Sequence, residues 1–273
     1  MPLVEVNGAE TFYEVAGTGS PVVLLHSGLA DSRSWDPQFA SWSRERLVVR
    51  YDLRGFGRSS LPPGPYSLVD DLRALLDHLA IERAALAGLS LGGRVALDFT
   101  LTHPDRLGAL VLAGSGLGGF EWSKELASVM GREDDLLDAG DLDRATELML
   151  ETWVAGPRRA LEDVDPGLRS TIAAMQREAY EVLLRAYSGP EQPGPGAALD
   201  PPASDRLGEV RAPTLVLVGD EEVDDVVEIA EILAHGIQGA EQAVIPGAAH
   251  MLNLERPAEF DRRALAFLDR VWR

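Results

Sequence analysis

The chain predicts an α/β fold built on a doubly wound, mostly parallel sheet, and three observations carry that prediction. Short apolar runs recur at Pro21-Val22-Val23-Leu24-Leu25, 47–51, 84–87, 107–112 and 213–219. They are continuous rather than alternating, as expected of strands buried on both faces. Segments with helical periodicity separate them, and strands alternating with helices at this spacing build parallel sheets. Finally, Gly88-Leu89-Ser90-Leu91-Gly92, with Gly93 behind it, lies between the run at 84–87 and a helix-like segment from Arg94. Gly-x-Ser-x-Gly between a strand and a helix lifts the serine hydroxyl above the sheet on a turn too tight for large neighbours.

Each element has a local reason. Segments 3–6 and 11–15 flank Asn7-Gly8, a dipeptide suited to a tight hairpin. The run from Pro21 ends in His26-Ser27-Gly28-Leu29, and the one at 47–51 leads into Asp52-Leu53-Arg54-Gly55-Phe56-Gly57-Arg58-Ser59. Pro62-Pro63-Gly64-Pro65 reads as a loop. Ser67 then caps a helix with Asp70 and Asp71 in its first turn and Leu68, Leu72, Leu75, Leu76 and Leu79 at helical spacing. From 116 to 202 the character changes. Helical periodicity runs through 121–137, 141–154 and 168–187 with no strand pattern, and the Gly/Pro-rich stretch 189–196 reads as a linker. Strands resume at 213–219 and 243–246, and a final helix covers 257–271. The expected organisation is therefore a core from 1–115 and 203–273 with a helical cap, 116–202, inserted over the sheet's carboxyl edge. Ligands of such sheets bind beyond that edge, where His26, Ser90 and Ser115 fall. Of the cap's large residues, Trp122, Met130, Met149, Trp153, Met175, Tyr180 and Tyr187, two or three are expected to line a substrate pocket.

Composition narrows the function. The 273 residues carry 25 basic and 44 acidic side chains, a net charge of −19. Nucleic acid and anionic membrane both select a basic face, so neither is an expected partner. No apolar run is long enough for a membrane span, the N-terminus lacks a signal-peptide pattern, and cysteine is absent. A cytoplasmic location follows as the expectation. Five scattered histidines show no ligand spacing, so neither metal nor cofactor is expected. The glycine-rich turn could in principle cradle phosphate, but no Gly-Lys-Ser/Thr or acidic ribose-binding pattern accompanies it.

Ser90, an acidic loop at 220–225 and His250 occur in the order serine, acid, histidine, each after a strand. That order distinguishes one class of serine hydrolase from the others. His250 would take the Ser90 proton and return it to the leaving group, while the acid fixes the imidazole tautomer and stabilises the imidazolium.

With these motifs in view, the sequence resembles capped α/β-hydrolase-fold enzymes. His26-Ser27-Gly28 with Trp35, Asp52–Ser59, the serine turn and His250 carry the likeness, over about 20–115 and 210–270. Within that superfamily, the stretch 51–59, Pro62–Tyr66 and Gly-Leu-Ser-Leu-Gly-Gly are most similar to 3-oxoadipate enol-lactonases and related carboxylesterases. The resemblance implies an eight-stranded, mostly parallel sheet with helices on both faces, and an oxyanion hole from the Gly28 and Leu91 N–H groups. It gives His26 a structural role. Relatives commonly carry the acid as Gly-x-x-Asp after the strand-end glycine, where this chain has Glu222; Asp224 and Asp220 compete with it. Leu29 stands where perhydrolase and haloperoxidase relatives often have proline. Ser90 argues against haloalkane dehalogenases and epoxide hydrolases, which use aspartate there.

The implied activity is hydrolysis of a small carboxylic ester or lactone through an acyl-enzyme by Ser90, Glu222 and His250, in a monomer or homodimer. The same fold and triad also serve carbon–carbon bond hydrolases, hydroxynitrile lyases, perhydrolases and biosynthetic cyclases. Some non-enzymatic, receptor-like binders keep them as well.

Overall fold

A computed structural model describes residues 2–273. In chain order the elements begin with β1 (Leu3–Val6), β2 (Ala9–Ala16), β3 (Pro21–Leu25), α1 (Asp36–Trp42), β4 (Leu47–Tyr51), β5 (Gly64–Tyr66) and α2 (Leu68–His78). Next come β6 (Ala84–Leu89), α3 (Leu91–Thr102), β7 (Leu107–Ala113), α4 (Lys124–Asp138), α5 (Leu142–Met149) and α6 (Pro166–Tyr187). The chain closes with β8 (Pro193–Gly196), β9 (Thr214–Gly219), α7 (Asp224–Gly236), β10 (Glu241–Ile245), α8 (Leu252–Glu255) and α9 (Pro257–Val271). Eight strands form one sheet in the order β1-β2-β4-β3-β6-β7-β9-β10. Only β2 runs against its neighbours, pairing antiparallel with β1 and β4; the other pairs are parallel. This is the α/β-hydrolase fold, and the hairpin turn at Asn7-Gly8 has the two positive φ angles, 48° and 77°, that its sequence invites.

The sheet has two buried faces because its central strands are apolar at every position. Val22, Leu24, Ala85, Ala87, Leu89, Ala109 and Val111 pack to one side with Trp35, Trp42, Phe260 and Phe267. Val23, Leu25, Leu86, Leu110 and Leu112 pack to the other with Leu72, Phe99 and Ile229. On the first face small strand residues make room for bulky aromatic side chains, so the total volume stays matched.

Between β7 and β9 no strand joins this sheet. The three helical stretches expected there are α4, α5 and α6. The stretch at 141–154 divides, because α5 passes into a π-helical turn, Leu150–Ala155, that ends at Gly156 with φ 75°. The supposed loop at 62–65 and linker at 189–196 need correction. Gly64–Tyr66 and Pro193–Gly196 pair in parallel as a separate two-stranded sheet. Pro/Gly-rich chain is extended by default, and carbons added at Gly194 and Gly196 would come within 3.1 Å of Pro65 and 3.3 Å of Tyr66. The missing side chains thus allow the pairing, which fastens the end of the helical segment beside α2. Among the described residues no helix is long and apolar enough to cross a membrane.

Candidate active site

Ser90 occupies the single residue between β6 and α3, with φ 54° and ψ −114°. That region is costly for any residue with a side chain. Its neighbours show what holds it there. A carbon added at Gly88 would stand 2.3 Å from the Gly92 carbonyl oxygen, one at Gly92 2.3 Å from that of Leu25, and one at Gly93 2.4 Å from Ser115 Oγ. The turn is therefore clamped by backbone on both sides. The Ser90 N–H donates to the Ala113 carbonyl at 3.0 Å, while its own carbonyl accepts from Arg94 and Gly116. Leu91 opens α3, and the first N–H groups of a helix have no partner within it.

Two loops on the far side of β7 bring Glu222 and His250 together. His250 Nδ1 lies 2.7 Å from Glu222 Oε2, and Glu222 Oε1 accepts the Val223 N–H at 2.9 Å. Both residues are buried, Glu222 completely. The approach is again set by glycine: a carbon at Gly219, the end of β9, would stand 2.0 Å from the Ala248 carbonyl oxygen. A carbon at Gly114, just past β7, would lie 3.2 Å from Glu222 Oε2 and 3.4 Å from His250 Nδ1. The competing acids are engaged elsewhere. Asp220 Oδ1 accepts the Gly247 N–H at 2.5 Å, and Asp224 pairs with Arg158 at 2.5 Å.

The helical segment reaches this pair directly. The His250 N–H donates to the Trp153 carbonyl at 3.3 Å, and the Trp153 and His250 rings lie 4.6 Å apart between centroids. Arg158 Nη1 donates to the Glu222 carbonyl at 2.7 Å, and Arg159 pairs with the buried Glu255, which accepts the Ala249 N–H. The π-helical turn aims Trp153 here, consistent with the frequent use of such turns at functional sites. Sequence reading counted Trp153 only among large residues of the segment; helical periodicity carries no signal for an insertion of this kind.

Gly28 lies opposite the serine turn, where an added carbon would meet the Leu91 side chain at 3.9 Å. His26, fully buried, holds this loop in shape. Its Nε2 accepts the Leu53 N–H at 2.8 Å, which leaves Nδ1 to carry the proton and donate to the Ser27 carbonyl at 2.8 Å. Burial pushes its pKa below the ordinary histidine value, although Asp52 and Asp31 pull upward. The motif 52–59 is scaffolding of the same kind. Asp52 accepts the Ser32 and Arg58 N–H groups, Arg54 forms a buried two-point pair with Asp71, and Ser59 Oγ donates to the Asp52 carbonyl.

A cavity of about 450 Å³ opens beside Gly28 and Leu91 and extends beneath α6. Phe56, Leu61, Tyr66, Leu68 and Val69 form an apolar wall, and α3 contributes Leu91, Arg94, Val95 and Asp98 along one face. From the helical segment come Glu133, Gln176, Ala179, Tyr180 and Leu183. Of the seven large residues singled out in that segment, Tyr180 lines this cavity; Met149 and Met175 are buried in the core and Tyr187 is exposed. Among the described residues no group of three or more histidine, aspartate or glutamate side chains is arranged to hold a metal ion.

Comparison with known proteins agrees with this architecture. The sequence profile of the alpha/beta hydrolase family matches residues 22–263. RutD of Azorhizobium caulinodans, named as a candidate carbamate hydrolase, is 26% identical over 285 residues, 99% of each chain. Carboxylesterase YbfK of Bacillus subtilis is 27% identical over 262 residues, 90% of this chain and 79% of that protein. The solved enol-lactonase from Burkholderia xenovorans LB400 superposes with a TM-score of 0.80 at 26% identity, over 98% of this chain and 100% of that one. By fold, profile and relatives alike, this chain belongs to the alpha/beta hydrolase family.

Proposed function

We propose that the protein hydrolyses a carboxylic ester or lactone of a small molecule through an acyl-enzyme formed on Ser90. The observation that carries this reading is the buried His250–Glu222 pair, at 2.7 Å, on the loops after β9 and β10, across the end of β7 from a serine held at a strained strand-to-helix apex and tied by its N–H to Ala113. His250 Nε2 takes the proton as Ser90 Oγ adds to the substrate carbonyl. The Gly28 and Leu91 N–H groups receive the developing oxyanion, a contribution of about 3–4 kcal/mol per donor in comparable sites. Collapse of the adduct expels the alkoxide, which His250 protonates. Water then attacks the acyl carbon, giving its proton to His250, and Ser90 leaves with that proton restored. Glu222 stays ionised throughout; it holds Nδ1 protonated and offsets the charge on the imidazolium.

The helical segment 116–202 acts as a cap. Its hold on His250 through Trp153 and on Glu222 through Arg158 supports a role in excluding water from the pair. The apolar wall of the cavity and the relatives named carboxylesterase and enol-lactonase support an uncharged ester or lactone at the reacting end.

The test is turnover of p-nitrophenyl acetate, butyrate and octanoate beside Ser90→Ala. Turnover by the parent and none by the variant is the expected result, with the chain-length preference sizing the pocket. Activity that survives in Ser90→Ala overturns the mechanism.

A further inference from the structure

The cavity has a polar end that the proposed chemistry does not use. Asp98 and Gln176 line it, each at least nine-tenths buried, and neither Asp98 Oδ1 nor Gln176 Oε1 has a hydrogen-bond partner. Buried acceptors without donors are rare, because each forfeits the hydrogen bonds it would make in water. Two further groups lining the cavity add to the same character. Glu133 accepts from Tyr180 Oη at 2.5 Å, and burial keeps its carboxyl above the ordinary range even so. The cations present do not neutralise this end. Arg54 is committed to Asp71 and Arg206 to Glu209, and Arg94, 41% exposed, makes only a long ion pair with Asp98, its Nε 3.8 Å away and beyond hydrogen-bond reach.

We propose that this end of the cavity, formed by Asp98, Gln176 and Glu133, binds a hydrogen-bond-donating cationic group of the substrate, a protonated amine. The inference rests on the hydrolase reading above and names its substrate class: an ester or lactone carrying an ammonium group distant from the reacting carbonyl. The separation follows from α3. Leu91, at the oxyanion end, and Asp98 lie on one face of that helix, seven residues apart, or about 10 Å at the standard rise. An ammonium offers three donors, one for each of the Asp98, Gln176 and Glu133 side chains that line this end.

The experiment compares kcat/KM for methyl 8-aminooctanoate, methyl nonanoate and monomethyl suberate, which are of matched length and end in an ammonium, a methyl and a carboxylate. A preference for the amine over the methyl isostere of about tenfold or more is expected, since a charge-assisted hydrogen bond is worth at least that factor. In Asp98→Asn and Gln176→Leu the ratio of amine to isostere falls several-fold; a ratio within one variant is insensitive to partial unfolding. Equal rates for amine and isostere, or a preference for the suberate, overturn the proposal while leaving the hydrolase reading intact. Loss of all ester turnover would instead overturn the hydrolase reading. The binding site is then judged separately, by whether hexylamine raises the melting temperature of the parent more than hexanoate does and fails to do so in Asp98→Asn. Equal shifts from the two compounds overturn it.

Discussion

Replacing Asp98 by asparagine is expected to stabilise the protein, and to do so increasingly as pH rises. Asp98 is 6% exposed, and desolvation lifts its carboxyl from 3.8 to about 6, with Arg94 and Arg206 offsetting only part of the effect. The folded state therefore holds the proton more tightly than the unfolded chain, and stability falls as pH climbs through the window between the two values. At roughly 1.4 kcal/mol per unit, the shift from 3.8 to about 6 destabilises the ionised protein by roughly 3 kcal/mol once the pH is well above 6. Asparagine has nearly the same shape and no charge, so the variant escapes this cost. Arg94, half-exposed, loses only a weak, solvated partner. Guanidinium melts of parent and variant at pH 4.5 and 8 provide the assay, and the gap between them widens by roughly 2 kcal/mol across that interval. A gap that is constant with pH, or a parent that gains on the variant at high pH, refutes the reasoning. A buried acid that destabilises its own fold is the kind of residue retained for binding, which is why this measurement bears on the amine site without any substrate present.

Other perturbations act on the Glu222–His250 pair and the serine turn. Glu222→Gln removes the carboxylate that fixes His250 Nδ1 as donor at 2.7 Å, so kcat for an ester should drop by about 10⁴, as the equivalent amide change does in serine proteases. Glu222→Asp keeps the charge but withdraws it by about 1.5 Å, and a misplacement of that size costs on the order of 10²-fold; circular dichroism matching the parent would confirm that both losses are local. Gly92→Ala sets a carbon 2.3 Å from the Leu25 carbonyl oxygen and should destabilise by about 1–3 kcal/mol, read from urea midpoints. Gly131→Ala, in an open position of α4, should instead stabilise by about 0.5–1 kcal/mol and raise the midpoint, so equal effects at the two glycines would refute the steric account.

Much of the fold was legible because it depends on local signals. Continuous apolar runs announce strands buried twice over, and each became a strand with one residue on each face in alternation, as Val22 and Val23 show. Ser67 announced α2, and its oxygen accepts the Asp70 N–H at 3.1 Å. The serine turn was legible because glycine is the only residue that survives 2.3 Å from a carbonyl oxygen, so the steric demand is written in the sequence itself. The pairing of β5 with β8 was not legible. Two Pro/Gly stretches separated by more than a hundred residues carry no mutual signal, and turn residues in extended chain read as loop.

The sequence by itself determined the eight strands of the main sheet, the order of serine, acid and histidine, and the glycines that let backbones close to within touching distance. It favoured Glu222 over Asp224 and Asp220 only by its place three residues after the strand-end glycine, because all three stand in one acidic loop and differ by where each side chain can reach. The tertiary structure shows which of them reaches the histidine: Gly219 against Ala248 draws two loops together, and Glu222 meets His250, while Asp220 and Asp224 are occupied by Gly247 and Arg158. The cavity's polar end was likewise decided in three dimensions. Asp98 and Gln176 are ordinary helix residues in the sequence, and they become buried acceptors without donors only where α3 and α6 line one cavity.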